Sequence, residues 1–161
     1  MNEMEELMQD KKIVGLLEKA YAGELETVQN YLANSVWLDG LRAEEIKESL
    51  AEDVTEELGH AQKIAHRLKQ LGACPPGSLA LERAQKSLQP PTDSTDILAV
   101  VKGVLAAERE AIALYNGIIK ACEGHDYVTQ DLATELLADE EEHRCLFEGF
   151  LKSLEKHGAK A

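Results

Sequence analysis

Six residues of metal-binding type stand at repeated intervals in the sequence: Glu24, Glu57 with His60, Glu108, and Glu140 with His143. A solitary glutamate is followed by a Glu-x-x-His pair 33 residues later in the first half and 32 residues later in the second. Carboxylates supply hard oxygen donors and imidazole a neutral nitrogen. That donor set suits iron or manganese better than softer, thiolate-seeking metals, and zinc can occupy the same ligands. Four carboxylates match the charge of two divalent ions. Glu57 and Glu140 suit bridging through both oxygens, Glu24 and Glu108 capping one ion each, and His60 and His143 giving one nitrogen apiece.

Helices must position these groups. Ala, Leu, Glu and Lys dominate the 161 residues while aromatics make up 4%, so an all-α fold is expected. Apolar residues recur every three or four positions over about 10–39, 43–71, 94–123 and 126–156, which predicts four amphipathic helices in one domain spanning 1–161. On the first, Leu17, Tyr21, Val28 and Tyr31 mark the inward stripe and Glu24 interrupts it; Glu57, Glu108 and Glu140 interrupt the other three. Tight turns at Gly40 and Gly124 join the helices into two antiparallel hairpins. The segment 72–93, bounded by Pro75-Pro76-Gly77 and Pro90-Pro91, is long enough to cross the length of a four-helix bundle. Within it Ser78 to Leu88 is expected as a short surface helix, and Asp93 or Ser94 as the cap of the third long helix.

An ionised carboxylate in a dry core is costly, and four together also repel one another. No Lys or Arg shares their stripes, so cations from solution are the natural compensation. Depth agrees. Glu24 lies 16 residues before Gly40, with Glu57 and His60 17 and 20 after it; Glu108 lies 16 before Gly124, with Glu140 and His143 16 and 19 after it. At 1.5 Å per residue both sets stand roughly 24 to 30 Å from their turns. They meet near mid-bundle if the two turns occupy opposite ends.

Tyr31 lies two turns from Glu24 on the same face, which suits either a phenol donor or radical relay beside the site or plain core packing. Trp37 reads as core or subunit interface. Glu56, Asp139, Glu141 and Glu142 flank the motif off its inward face and read as solvated surface. Cys145 points away from His143, and Cys122 is too far from Glu108 to ligate. The formal charge of −13, from 17 basic and 30 acidic residues, opposes nucleic acid and anionic lipid. No uncharged stretch exceeds 12 residues, against about 20 needed to span a bilayer. The acidic start MNEMEELMQDKK lacks the features of a secretory signal, so a cytoplasmic location is expected.

The segments YAGELETVQNYL, EELGHAQKIAHRLKQLG, AAEREAIALY and LADEEEHRCLFEGFL, within about residues 10–156, resemble the ferritin-like superfamily, and the bacterioferritins most. The resemblance implies a ferritin-like bundle with a di-iron ferroxidase centre at Glu24, Glu57, His60, Glu108, Glu140 and His143, and Tyr31 beside it. It implies oxidation of Fe(II) by O2 or peroxide and storage of ferric mineral in a homo-oligomeric shell. Bacterioferritins ligate haem through a Met directly after the second-helix glutamate; Leu58 stands there, so haem is not expected. Three residues after Gly158 leave no room for the fifth helix of 24-subunit cages, and a crossover helix is a feature of the 12-subunit Dps-like mini-ferritins. A 12-mer is therefore expected over a 24-mer, with a dimer as an alternative. DNA binding, known in some mini-ferritins, is not expected from the short tail Lys152, Lys156 and Lys160. Rubrerythrins carry a further glutamate where Ala111 stands. The alternatives are a di-iron oxygenase or peroxidase acting on another substrate, and a non-catalytic helical scaffold.

Overall fold

The computed structural model describes residues 2–158. They form four helices, α1 (Glu3–Trp37), α2 (Glu44–Gln70), α3 (Ile97–Cys122) and α4 (Tyr127–Gly158). α1 begins well before residue 10 because Asn2 and Glu5 make a capping box: the Glu5 N–H donates to Asn2 Oδ1 at 3.0 Å, and the Asn2 N–H to Glu5 Oε2 at 2.9 Å. α3 begins later than expected. Its cap is Asp96, whose Oδ1 accepts the Ala99 N–H at 3.0 Å, whereas Asp93 is spent on a turn and accepts the Thr95 N–H and hydroxyl. Gly40 and Gly124 adopt φ of +113° and +70°, a region that side chains with a Cβ avoid, and so reverse the chain after α1 and α3.

The hairpin turns lie at opposite ends. The Asp39 N–H donates to the Ser94 carbonyl at 2.9 Å, pinning the α1–α2 turn to the start of α3. At the far end the Gln9 side-chain amide donates to the Ala121 carbonyl, and His125 Nε2 lies 2.7 Å from Asp10 Oδ1. α1 packs mainly on α2 and α3 on α4, and the two hairpins meet chiefly through α1 and α3 and more sparsely through α2 and α4. Two apolar clusters result. One, around Leu38, Leu50, Val104 and Phe147, fills the Gly40 end; the other, around Leu17, Ile64, Ile118 and Leu136, fills the Gly124 end. A buried polar layer separates them.

Residues 72–93 hold no helix; Ser78 to Ala80 make only a turn. The backbone that a short helix would use internally is instead bonded to α1. The Ala84 and Gln85 N–H groups donate to the two carboxylate oxygens of Glu26, each at 2.8 Å, and the Leu88 carbonyl accepts from Asn34 Nδ2 at 3.0 Å. Gln85 also accepts from Asn30 Nδ2 and donates to Thr27 Oγ1, both at 2.8 Å. These partners explain why α1 buries Thr27, Asn30 and Asn34 rather than only the apolar stripe.

On its other side the extended strap presses on α3 at Gly103, where an added Cβ would lie 2.8 Å from the Ser87 carbonyl oxygen. Gly103→Ala should therefore displace the strap and cost about 1–3 kcal/mol, read as a lower melting temperature. A variant as stable as the parent would show that the strap is not held against α3. Among the described residues no helix is long and apolar enough to cross a membrane. Lys160 of the basic tail lies outside the described residues.

Candidate metal centre

The polar layer contains all six residues singled out by spacing. Glu24 comes from α1, Glu57 and His60 from α2, Glu108 from α3, and Glu140 and His143 from α4, and none is more than 5% exposed. They fall into two overlapping groups, Glu24–Glu57–His60–Glu140 and Glu57–Glu108–Glu140–His143, in each of which one donor atom per residue lies within 4.8 Å of the others. His60 Nδ1 stands 3.0 Å from Glu140 Oε1 and 3.4 Å from Glu57 Oε2. His143 Nδ1 stands 3.1 Å from the other Glu57 oxygen, Oε1, and 3.8 Å from Glu108 Oε1. The two oxygens of Glu57 thus face different halves of the site, as a bridging carboxylate would. The rings of His60 and His143 lie face to face, their centroids 6.4 Å apart.

The donors fit a pair of hard cations and are poorly served without them. Both Glu57 oxygens, Glu108 Oε2, Glu140 Oε1 and the Nδ1 atoms of His60 and His143 are buried with no hydrogen-bond partner, an arrangement a protein core otherwise avoids. No thiol competes: Cys74 and Cys145 are exposed. Burial pushes the Cys122 thiol up to about 11.

A further ring of contacts holds the inner donors in place. Tyr31 donates its hydroxyl to Glu108 Oε1, and Tyr115 donates its own to Glu24 Oε1. Each tyrosine thus serves the solitary glutamate of the other half. Burial, and next the carboxylate it touches, raise both phenols well above their ordinary value, so they stay protonated. Tyr115 is not among the residues singled out above; the signal that marks it is that Tyr31 and Tyr115 each follow their own half's solitary glutamate by seven residues. Glu56 is exposed, as expected, and Asp139 half-buried, yet both also reach the imidazoles. Glu56 Oε2 lies 3.2 Å from His143 Nε2 and Asp139 Oδ2 3.2 Å from His60 Nε2. A carboxylate on the outer nitrogen fixes an imidazole with its other nitrogen turned inward. Asp53 lies behind His143 at 3.9 Å, and burial raises its carboxyl to about 6.

Protons stand in for cations when the site is empty of metal. Burial would lower both imidazoles, but the carboxylates around them prevail: Glu140, Glu24 and Glu57 raise His60, and Glu57 above all raises His143 to about 10. Burial also raises Glu57 and Glu108, and their carboxylate neighbours add to it. Metal must expel these protons. Zn(II) binding should therefore weaken as pH falls and release protons at neutral pH, seen in calorimetry as a binding heat that varies with the buffer's ionisation enthalpy; a buffer-independent heat would contradict this. In the metal-free protein the His143 contribution to stability is complete below the ordinary value of 6.5 and lost as pH rises through about 10.

Four helices, one crossover and a buried carboxylate–histidine layer define a ferritin-like protein. The chain belongs to that family: the family model for the ferritin-like domain matches residues 14–157. It is 33% identical over 145 residues to the DNA protection during starvation protein of Pyrococcus furiosus, covering 88% of this chain and 77% of that one. It is 28% identical to the bacterial ferritin of Neisseria meningitidis serogroup B over 92% of each chain. Among solved structures, the bacterioferritin-related protein of Bacteroides fragilis, a dodecameric thioferritin, superposes with a TM-score of 0.84 at 27% identity, covering 94% of this chain and 90% of the other.

Proposed function

We propose that the chain is a ferroxidase of an iron-storage or iron-detoxifying protein, with Glu24, Glu57, His60, Glu108, Glu140 and His143 holding two Fe(II) ions as substrate and Tyr31 beside them. The observation that carries this reading is the pair of overlapping four-residue groups that share Glu57 and Glu140. Two ions held by shared carboxylates can each surrender one electron to one oxidant, O2 or peroxide. Tyr31 and Tyr115 hold Glu108 and Glu24 through hydrogen bonds, and Asp139 and Glu56 hold the imidazoles. Iron is the cargo that the family binds; manganese or zinc would fit the same donors, and haem has no part in this reading.

A homo-oligomeric shell completes the function, since a mineral needs an enclosed space. Exposed Leu32, Val36, Trp37 and Leu41 gather near the Gly40 end, where they suit burial against other copies. The dodecameric relative supports a 12-mer, which at 17.7 kDa per chain would weigh about 212 kDa. Nucleic acid is not a partner in this reading: the charge of −13 opposes it, although one relative is named for DNA protection. The cytoplasm, where Fe(II) persists, is the proposed location.

The test is anaerobic loading followed by rapid mixing with oxidant. Ferric absorbance should appear in a fast phase that saturates at two irons per chain, and a particle near the 12-mer mass should then take up many more. A fast phase absent at every loading would overturn the ferroxidase. A dimer that stops at two irons would favour a di-iron oxygenase or peroxidase instead.

A further inference from the structure

A cavity of about 660 Å³ lies between α1, α3 and the crossover strap. Its wall is aliphatic, with Ala22, Gly23, Ala107, Ala111 and Leu114, and it reaches the buried Glu24 and Tyr115. The strap roofs it, fastened by the two backbone N–H groups that Glu26 accepts. Gly15 and Gly23 also line it, and a Cβ at either would meet nothing within 4 Å. The protein leaves this space unfilled although glycine weakens a helix interior.

The volume and chemistry select an occupant. Water takes about 30 Å³ in the liquid, so the space far exceeds what O2 or hydrogen peroxide needs, and falls in the ordinary range for organic ligands. Glu18, Glu26, Glu82 and Glu110 line it against a single Lys19, which disfavours anions. A hydrated cation can meet these glutamates, of which Glu82 and Glu110 are exposed, but it gains nothing from the aliphatic part of the wall. That part of the wall suits a neutral organic molecule. Resting on the ferroxidase reading, two Fe(II) ions at Glu24 and its neighbours offer two electrons, the number that cleaves one O–O bond, whereas hydroxylation with O2 would need an outside reductant.

We propose that this cavity binds a neutral organic hydroperoxide and presents its O–O bond to the metal pair beside Glu24. The O–O bond breaks, each Fe(II) gives one electron and becomes Fe(III), and the two oxygens take one proton each from solvent. The products are the alcohol and water.

The test uses cumene hydroperoxide and its alcohol product, 2-phenyl-2-propanol. Metal-free wild-type protein should bind the alcohol saturably, as followed by saturation-transfer NMR. Gly23→Leu, which fills the cavity, should abolish that binding, and Gly23→Ala should keep it; Gly15→Leu is a second filling variant, with helicity checked by circular dichroism. After Fe(II) loading, the ratio of the cumene hydroperoxide rate to the hydrogen peroxide rate should fall at least about tenfold in the leucine variants. No alcohol binding by the wild type, undiminished binding in both folded leucine variants, or an unchanged rate ratio would overturn the proposal. A wild type inert to both peroxides would sink the ferroxidase reading and the hydroperoxide step with it. Turnover of hydrogen peroxide without binding or turnover of the organic pair would sink the cavity proposal alone.

Discussion

Glu57→Ala should lose rapid Fe(II) oxidation by at least about 100-fold while the helical bundle persists. Removing a group that merely orients a metal ligand costs 10–100-fold, and Glu57 has one oxygen toward His60 and the other toward His143. Its loss would deprive both proposed ions of a ligand at once. The fold should survive because the apolar clusters on either side supply the packing. Stopped-flow absorbance gives the rate and far-ultraviolet circular dichroism the helix content. An oxidation rate equal to the parent's would show that the site is misassigned.

The second large effect is on stability. A metal that binds only the folded state adds about 2.7 kcal/mol per site at one hundred times its Kd, so two sites contribute about 5 kcal/mol. For a domain of this size each kcal/mol moves the melting temperature by about 2–4 °C, giving a rise of about 10–20 °C. Zn(II), which cannot be oxidised, is the suitable probe, with scanning calorimetry on the intact oligomer. The rise should shrink sharply in Glu57→Ala and at low pH, where His60, His143 and the raised carboxyls retain their protons. An unmoved melting temperature at saturating Zn(II), or an equal rise in Glu57→Ala, would contradict a paired site.

The sequence made the long helices legible because helical periodicity is a property of every third or fourth residue, and Gly40 and Gly124 marked the turns. It also made the six-residue convergence legible, since equal residue counts from two turns become equal heights in a rigid rod. The ends and the crossover were harder to read. A capping box at Asn2 and Glu5 lies outside any apolar stripe, and Asp93, Ser94 and Asp96 are all competent caps, so only the turn at Thr95 decides between them. Ser78 to Leu88 has helical composition, but its conformation is set by Glu26, Asn34 and Gly103, which are distant in sequence. Glu56 and Asp139 stand on the outer flank when one helix is considered alone. They become partners of His143 and His60 only when α2 and α4 face each other.

The most direct measurement is anomalous diffraction from a crystal grown anaerobically with Fe(II). Two peaks should appear in the buried layer, about 3.5–4 Å apart, one among Glu24, Glu57, His60 and Glu140 and the other among Glu57, Glu108, Glu140 and His143. A layer without iron, or iron found only on the surface acids, would mean that these side chains do not form a two-metal centre.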